Sequence, residues 1–250
     1  MTRSDDPSIR TFYDRWYKAR SKKETIDRLC RIRVIRNFLR ALSLGDSNIL
    51  ELGCGQGWLA NVLSQYGPVT AVDLSVEAIL SAKSAYPHIE FRAGSCFEMT
   101  DLPRDCDLIV SSEVIEHMVA KEQIRFLALI SDHLRPGGSV ILTTPNREVA
   151  GKFLEAGDPD VPDHLQPIEQ WLSIEELRAM LEPMFEILKM KTALFFHPFL
   201  RRHRTLNWLR YVVYCRLGLL PVIEGSLDGG PGGMYMCCLA RKAAHQGHGG

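Results

Sequence analysis

The sequence predicts an α/β fold in which helices cover a largely parallel sheet. Two observations predict it. From residue 48 onward, short apolar runs of strand length alternate with stretches of helical periodicity. The first of these runs, "NILEL", passes directly into "GCGQG" and then into a helical pattern. A strand that ends in glycines at a helix N-terminus brings backbone N–H groups against a ligand. With 250 residues, 46% of them hydrophobic, the chain can bury one substantial core, so one domain with embellishments is expected.

Taken in order, the elements begin with a helical stretch over 7–42. Formal net charge is zero, yet residues 1–40 hold twelve Lys or Arg against five Asp or Glu. A solvated basic helix face is the simpler account of that excess; an arm that touches nucleic acid or an anionic substrate is the sharper one. Strands are expected at 48–52, 69–73, 90–92, 107–111, 139–144, 185–191 and 234–240. Helices are expected between them, at 57–65, 76–86, 121–134 and 174–181. Ser173 with Glu176 three residues on forms a capping box for the last of these. "LRPGG", 134–138, is a stop and turn signal.

An insertion over 192–233 separates the last two strands. It carries five arginines and no acid between Leu194 and Ile223, with Leu206, Leu209, Val213 and Leu217 at helical spacing. A helical lid on the sheet edge is the simpler reading. A wall for a hydrophobic or anionic substrate, or a membrane-surface contact by 198–218, is the alternative. The tail, 243–250, reads as disordered.

Composition closes several classes. Apolar stretches are broken by charge before the roughly 18 residues that a membrane span needs, and "MTRSDDPSIR" lacks the apolar core of a signal peptide. A cytoplasmic protein is expected. Seven cysteines, at 30, 54, 96, 106, 215, 237 and 238, fall mostly in apolar runs without CxxC pairs, so reduced core thiols are expected rather than disulfides or a zinc cluster.

The glycine turn discriminates between nucleotide-like ligands. A dinucleotide site of the G-x-G-x-x-G type needs glycine at 58, where this chain has Trp58. The pattern is instead E-x-G-x-G-x-G, with Glu51 ahead of Gly53, Gly55 and Gly57. A carboxylate at the strand end repels a pyrophosphate and attracts a ligand that carries an ammonium and a sulfonium, as S-adenosylmethionine does. Twenty residues past Gly53, the next strand ends in "AVDLS", which places Asp73 where its carboxylate can accept from ribose hydroxyls.

With "ELGCGQG", "AVDLS", "DLIVSSEVIEHM" and "LRPGGSVILTTPN" in this order over 48–145, the chain resembles the class I S-adenosylmethionine-dependent methyltransferases. The resemblance implies a Rossmann-like, doubly wound seven-stranded sheet with the last strand antiparallel, joined here to N-terminal helices and the insertion before that strand. It implies a cofactor site that takes Glu51, Gly53, Cys54, Gly55, Gly57 and Trp58 from the loop, and Asp73 and Leu74 from the next strand end. Further on it takes Ser95, Cys96 and Phe97, then Ser112 and Glu113. Where many relatives have Gly-Asp before the adenine contact, this chain has "AGSC", so Ser95 or Cys96 takes that part. "FYDRWY", 12–17, is similar to an N-terminal helix that closes over the cofactor, with Tyr13 or Tyr17 at its carboxylate; a packing face for these aromatics is the alternative. The implied division is a helical cap 1–45, a cofactor-binding core 46–191, an acceptor lid 192–233, a last core strand 234–242 and the tail.

Methyl transfer is an in-line displacement, so the protein aligns nucleophile, methyl and sulfur, excludes water and takes a proton. The base belongs just after the fourth strand, where "SSEVIEHM" lies, and His117 is the candidate because an imidazole near pKa 6.5 can take a hydroxyl proton at neutral pH. Glu113, Glu116 and His117 also form E-x-x-E-H, one face of a helical turn, which with His164 has the donors for a divalent metal. That cluster resembles ubiquinone-biosynthesis O-methyltransferases and small-RNA 3'-end methyltransferases; a metal is nevertheless not expected, since such acids are often structural. "SSEV" lacks the Pro-Pro motif used on exocyclic base amines and the Pro-Cys nucleophile used on pyrimidine carbon, which leaves a hydroxyl, or an aliphatic amine or acidic carbon. The leading expectation is O-methylation of a small phenolic, sugar or polyketide-like acceptor, with 150–175 and the arginine-rich insertion around it. RNA methylation through the basic arm ranks second. A non-catalytic binding subunit ranks third, because it has no need of the intact glycines and acids.

Overall fold

The computed structural model describes residues 6–19, 26–155, 166–195, 212–213 and 232–243. Two helices, α1 (Pro7–Ala19) and α2 (Ile26–Ala41), precede the sheet. Then come β1 (Ile49–Leu52), α3 (Trp58–Leu63), β2 (Val69–Asp73), α4 (Val76–Ala85), β3 (Glu90–Ala93) and β4 (Cys106–Ser112). A 3-10 turn at Ile115–His117 leads to α5 (Ala120–His133), β5 (Leu134–Pro145), α6 (Arg147–Glu155), α7 (Ile174–Leu181), β6 (Phe185–Phe195) and β7 (Gly233–Lys242).

The seven strands lie in the order β3-β2-β1-β4-β5-β7-β6. β1 pairs in parallel with β2 and β4, β2 with β3, and β4 with β5, whereas β7 runs antiparallel to β5 and β6. This is the doubly wound, Rossmann-like sheet with its last strand reversed. β1 and β2 are buried on both faces, which is why "ILEL" and "VTAVD" read as unbroken rather than alternating runs. One face is covered by α2, α3 and α4 through side chains such as Phe38, Leu59 and Ile79. The other is covered by α5 and α7 through Phe126, Ile130, Leu177 and Leu181. Each such fully buried side chain contributes about 1.5–3 kcal/mol of transfer free energy. The chain leaves β1 toward β2 and β3, then returns to β4 on the other side of β1, so a crevice opens between the carboxyl ends of β1 and β4.

Three expectations are corrected. "LRPGG" ends α5 but does not release the chain from the sheet: β5 starts at Leu134, opposite Cys106, and bulges before Ser139 pairs with Leu108. Gly137 takes a positive φ of 73° within that bulge. A helix, α6, follows β5 where none was expected and runs into the 150–175 segment; Asn146 Oδ1 accepts the Glu148 N–H at 3.2 Å and caps it. β6 runs on to Phe195, past the point where the insertion was expected to begin. The rest of that insertion, Val213 and its neighbour excepted, lies outside the described residues up to 231, as does the tail from 244. The Ser173 box is present: Ser173 Oγ accepts the Glu176 N–H at 3.2 Å, and Glu176 Oε2 accepts the Ser173 N–H at 2.8 Å. The six described cysteines are thiols, five of them buried. Among the described residues no helix is long and apolar enough to cross a membrane.

Candidate active site

A cavity of about 280 Å³ fills the crevice at the carboxyl ends of β1, β2 and β4. Its floor is the loop after β1. The Gly53 and Cys54 N–H groups donate to Val72 O at 2.8 and 2.9 Å, so the loop is sewn to β2. Gly53 and Gly55 stand at φ 79° and 51°. A side chain on Gly53 would collide with Val114, and one on Gly55 would sit 2.8 Å from Tyr17 Oη. Cys54 and Trp58 line the cavity with them, but Gly57 does not. Gly57 caps α3 from a left-handed conformation instead, against the Phe91 ring, so its role is to turn the chain into the helix.

Two carboxylates govern the electrostatics. Glu51 is 2% exposed, and burial together with Asp73 pushes its pKa up to about 8. Its Oε2 is buried without a hydrogen-bond partner among the described residues. Such an orphaned acid is expensive unless a cation meets it. Asp73 takes the Gly55 N–H at 2.7 Å on one oxygen and the Ser75 N–H at 2.9 Å on the other. Burial raises its pKa to about 6 against the pull of those two donors, with Asp14 adding to the rise. Sequence reasoning assigned Asp73 to a ribose alone. In the structure its bonds set the glycine loop, with lone pairs left over on both oxygens for a ligand's donors. Leu74, Ser95, Cys96 and Phe97 continue the wall beyond it. Phe97 is held edge-on to Phe126 and lies under the Arg125 guanidinium, 4.5 Å from its ring centre.

The opposite wall follows β4. Ser112, Glu113, Val114 and His117 line it. His117 Nδ1 lies 3.1 Å from Ile168 O, a carbonyl that only accepts, so the proton sits on Nδ1 and the lone pair on Nε2, which lies 3.8 Å from Glu116 Oε1. Burial drives its pKa down to about 4, well below the near-neutral value expected, so the ring is a neutral and weaker base. The expected common face for a metal is not formed. Glu113, at φ 60°, directs Oε1 to the Thr143 hydroxyl at 2.9 Å and Oε2 toward Arg31 at 3.6 Å. Glu116 is 1% exposed and accepts from the Thr144 hydroxyl at 3.0 Å; burial and Glu113 raise its pKa well above the carboxylate range. Among the described residues no three acidic, histidine or cysteine side chains are grouped to hold a metal, and His164 lies outside those residues.

The N-terminal helices close the cavity. Asp14 ties α1 to the start of α4, its Oδ1 accepting from Ser75 Oγ at 2.6 Å. That anchor brings Tyr13, Trp16 and Tyr17 to the cavity, and Tyr13 packs edge-on to His117 with ring centres 6.3 Å apart. Burial and the nearby carboxylates hold the Tyr13 hydroxyl protonated, far above the usual range. Arg28 and Arg31 of α2 line the cavity too, braced over the rings of Trp58 at 5.1 Å and Tyr235 at 4.5 Å. The solvated-face account of the basic arm therefore fails for these two. Their i, i+3 spacing was a visible signal, hidden among twelve basic residues. Gln166 was also missed, since nothing in "HLQPIEQ" separates it from a loop residue.

These residues fit a zwitterionic cation: the orphaned Glu51 oxygen for positive charge, Arg28 and Arg31 for a carboxylate, Asp73 for hydroxyls, Phe97 for a ring. A methyltransferase domain model matches residues 23–184. Mitochondrial ubiquinone biosynthesis O-methyltransferase of Mus musculus is 32% identical over 170 residues, which span 62% of this chain and 45% of that protein. The Xanthomonas campestris ubiquinone biosynthesis O-methyltransferase is 25% identical over 66% of this chain and 76% of its own length. In fold, the N-methyltransferase NodS of Bradyrhizobium japonicum, solved with S-adenosyl-L-homocysteine, superposes with a TM-score of 0.62 at 15% identity, covering 94% of this chain and 98% of that one. The chain spans about half the length of the mammalian relatives it matches, and it belongs to the methyltransferase domain family.

Proposed function

We propose that the protein transfers a methyl group from S-adenosylmethionine to an acidic, phenol-like hydroxyl of a small molecule. The observation that carries this reading is the His117 ring: neutral, fixed by Ile168 O through Nδ1, with its lone pair on Nε2, at the cavity that also holds the Glu51 orphan. The bound cofactor supplies an electrophilic methyl on a positively charged sulfur.

The chain's own residues do the rest. Glu51 stabilises the positive end, Arg28 and Arg31 meet the carboxylate, and Asp73 holds the ribose while keeping Gly55 in place. α1 covers the site and keeps water out, its aromatic face over the cavity. His117 Nε2 takes the acceptor proton. Burial lowers its pKa to about 4, so an acidic hydroxyl is better matched to it than an aliphatic one. A phenolic or enolic oxygen is therefore favoured over a sugar hydroxyl. The names of the ubiquinone-biosynthesis relatives, O-methyltransferases, point the same way. RNA is not favoured, because Arg28 and Arg31 turn into the cavity instead of forming an outward track.

The test is transfer of labelled methyl from S-adenosylmethionine into a mixed metabolite and RNA extract, with and without chelator. Label is expected in the organic-extractable fraction, insensitive to chelator. Label that precipitates with RNA would overturn the small-molecule reading, and loss on chelation would restore a metal to the site.

A further inference from the structure

We infer that Gln166 reads a second polar group on the methyl acceptor, beside the hydroxyl that is methylated. This rests on the methyl-transfer reading above. Gln166 lines the cavity, and its Oε1 is buried with no hydrogen-bond partner among the described residues. It is two residues from Ile168, whose carbonyl fixes the His117 ring, so it enters from the wall of the base rather than from the β1–β2 side that carries the cofactor groups.

The segment that presents it is fastened. The Gln166 N–H donates to Glu169 Oε1 at 3.0 Å, and Glu169 Oε2 accepts from Trp171 Nε1 at 2.7 Å. The Gln170 N–H donates to Glu116 O at 2.7 Å. Gln123 Nε2 donates to both Ile115 O and Gln170 O at 3.0 Å, joining this segment to the 3-10 turn that carries His117. The first two bonds brace the segment itself, and the bonds of Gln170 and Gln123 join its backbone to the turn that carries His117. A buried amide oxygen without a partner is costly, and the cost is recovered when a ligand donates to it. His117 Nε2 and Gln166 Oε1 are both acceptors on one wall, so the fitting molecule presents two donors there: the hydroxyl that loses its proton and a second hydroxyl or N–H that keeps it. A molecule with only the first leaves the amide unpaired and is rejected.

The test uses the full chain with Gln166→Leu and Gln166→Glu. Calorimetry with S-adenosyl-L-homocysteine reads the cofactor half, and initial rates of labelled methyl transfer against dilution of the metabolite extract read the acceptor half. Both variants are expected to bind S-adenosyl-L-homocysteine within about twofold of the parent. Gln166→Leu is expected to raise the half-saturating extract concentration by roughly tenfold or more, the size of one lost hydrogen bond with its desolvation. Gln166→Glu keeps an acceptor oxygen and is expected to stay within about threefold. Unchanged half-saturation in Gln166→Leu, or equal weakening of cofactor binding, would overturn the inference while leaving methyl transfer standing. A parent chain that binds S-adenosyl-L-homocysteine yet labels nothing would defeat the functional reading and this inference together.

Discussion

The two carboxyl-edge walls of the cavity are built by different means. At β1 and β2, Asp73 is held by backbone N–H groups of Gly55 and Ser75, all within one loop and one strand end. At β4, Glu113 and Glu116 are held by the hydroxyls of Thr143 and Thr144 on the neighbouring strand, and His117 by a carbonyl fifty-one residues away. The first wall is a local device that any chain with the same short motif can reproduce. The second is an assembly of distant parts. Substituting on each wall should therefore separate binding from turnover. The largest effect is expected from His117→Ala: turnover falls by about 10²–10⁴, while S-adenosyl-L-homocysteine affinity by calorimetry stays within about threefold. Full turnover in the variant would remove the general base from the second wall.

Asp73→Ala should do the reverse and slightly less. It removes the ribose acceptor and releases two backbone donors that position the glycine loop. A cofactor affinity lower by about 3 kcal/mol is expected, given that bonds to a charged group contribute about 1.5–3 kcal/mol each. Unchanged affinity in the calorimeter would take Asp73 out of the site and break the contrast.

The same contrast explains what was legible in the sequence. Candidate residues within a few positions of one another, in 51–58 and 95–97, could be brought to one cavity from the sequence because a short motif fixes its own geometry. Of these, Gly57 does not line the cavity, and it faces Phe91 because a helix cap needs the same left-handed glycine as a ligand cradle. The strands were found because two-sided burial leaves unbroken apolar runs. α6 was missed because its cap, Asn146, follows a proline that reads as a turn. The cavity role of Arg28 and Arg31 depends on which face of α2 meets Trp58 and Tyr235, and the E-x-x-E-H face was lost because Glu113 adopts φ 60° where a helix was assumed. Long-range contacts of that kind leave no local pattern.

A smaller effect probes the charge on the first wall. With its pKa raised to about 8, Glu51 is neutral at pH 7 in the cofactor-free protein, and a bound cation favours the carboxylate. Binding S-adenosylmethionine then releases a proton below pH 8, so affinity should rise with pH by up to about tenfold per unit and level off above 8. Measuring between pH 7 and 8.5 keeps Asp73, near 6, out of the slope. S-adenosyl-L-homocysteine lacks the sulfonium and should show a shallower slope, and Glu51→Gln should flatten both. The sign for stability is opposite. A carboxyl whose folded pKa lies above the ordinary 4.5 stabilises the cofactor-free fold below 4.5, and that contribution is lost as pH rises toward 8. A flat binding curve in the parent chain would show that Glu51 does not meet the cation.

The smallest effect falls outside both walls, on the helix that follows the Gln166 segment. Ser173 and Glu176 exchange side-chain and backbone bonds at the start of α7, whose Leu177 and Leu181 are fully buried. Ser173→Ala removes one partner of that box and should lower stability by about 1 kcal/mol in urea unfolding. Leu172, just before it, bridges Asn146 and so ties the segment to the end of β5. If the second wall is an assembly of separately fixed parts, the loss at Ser173 stays in α7, and the half-saturating acceptor concentration does not move. A rise in that concentration together with the stability loss would mean that the α7 cap also holds the Gln166 segment in register, and the second wall would then be one cooperative unit from His117 to Leu181.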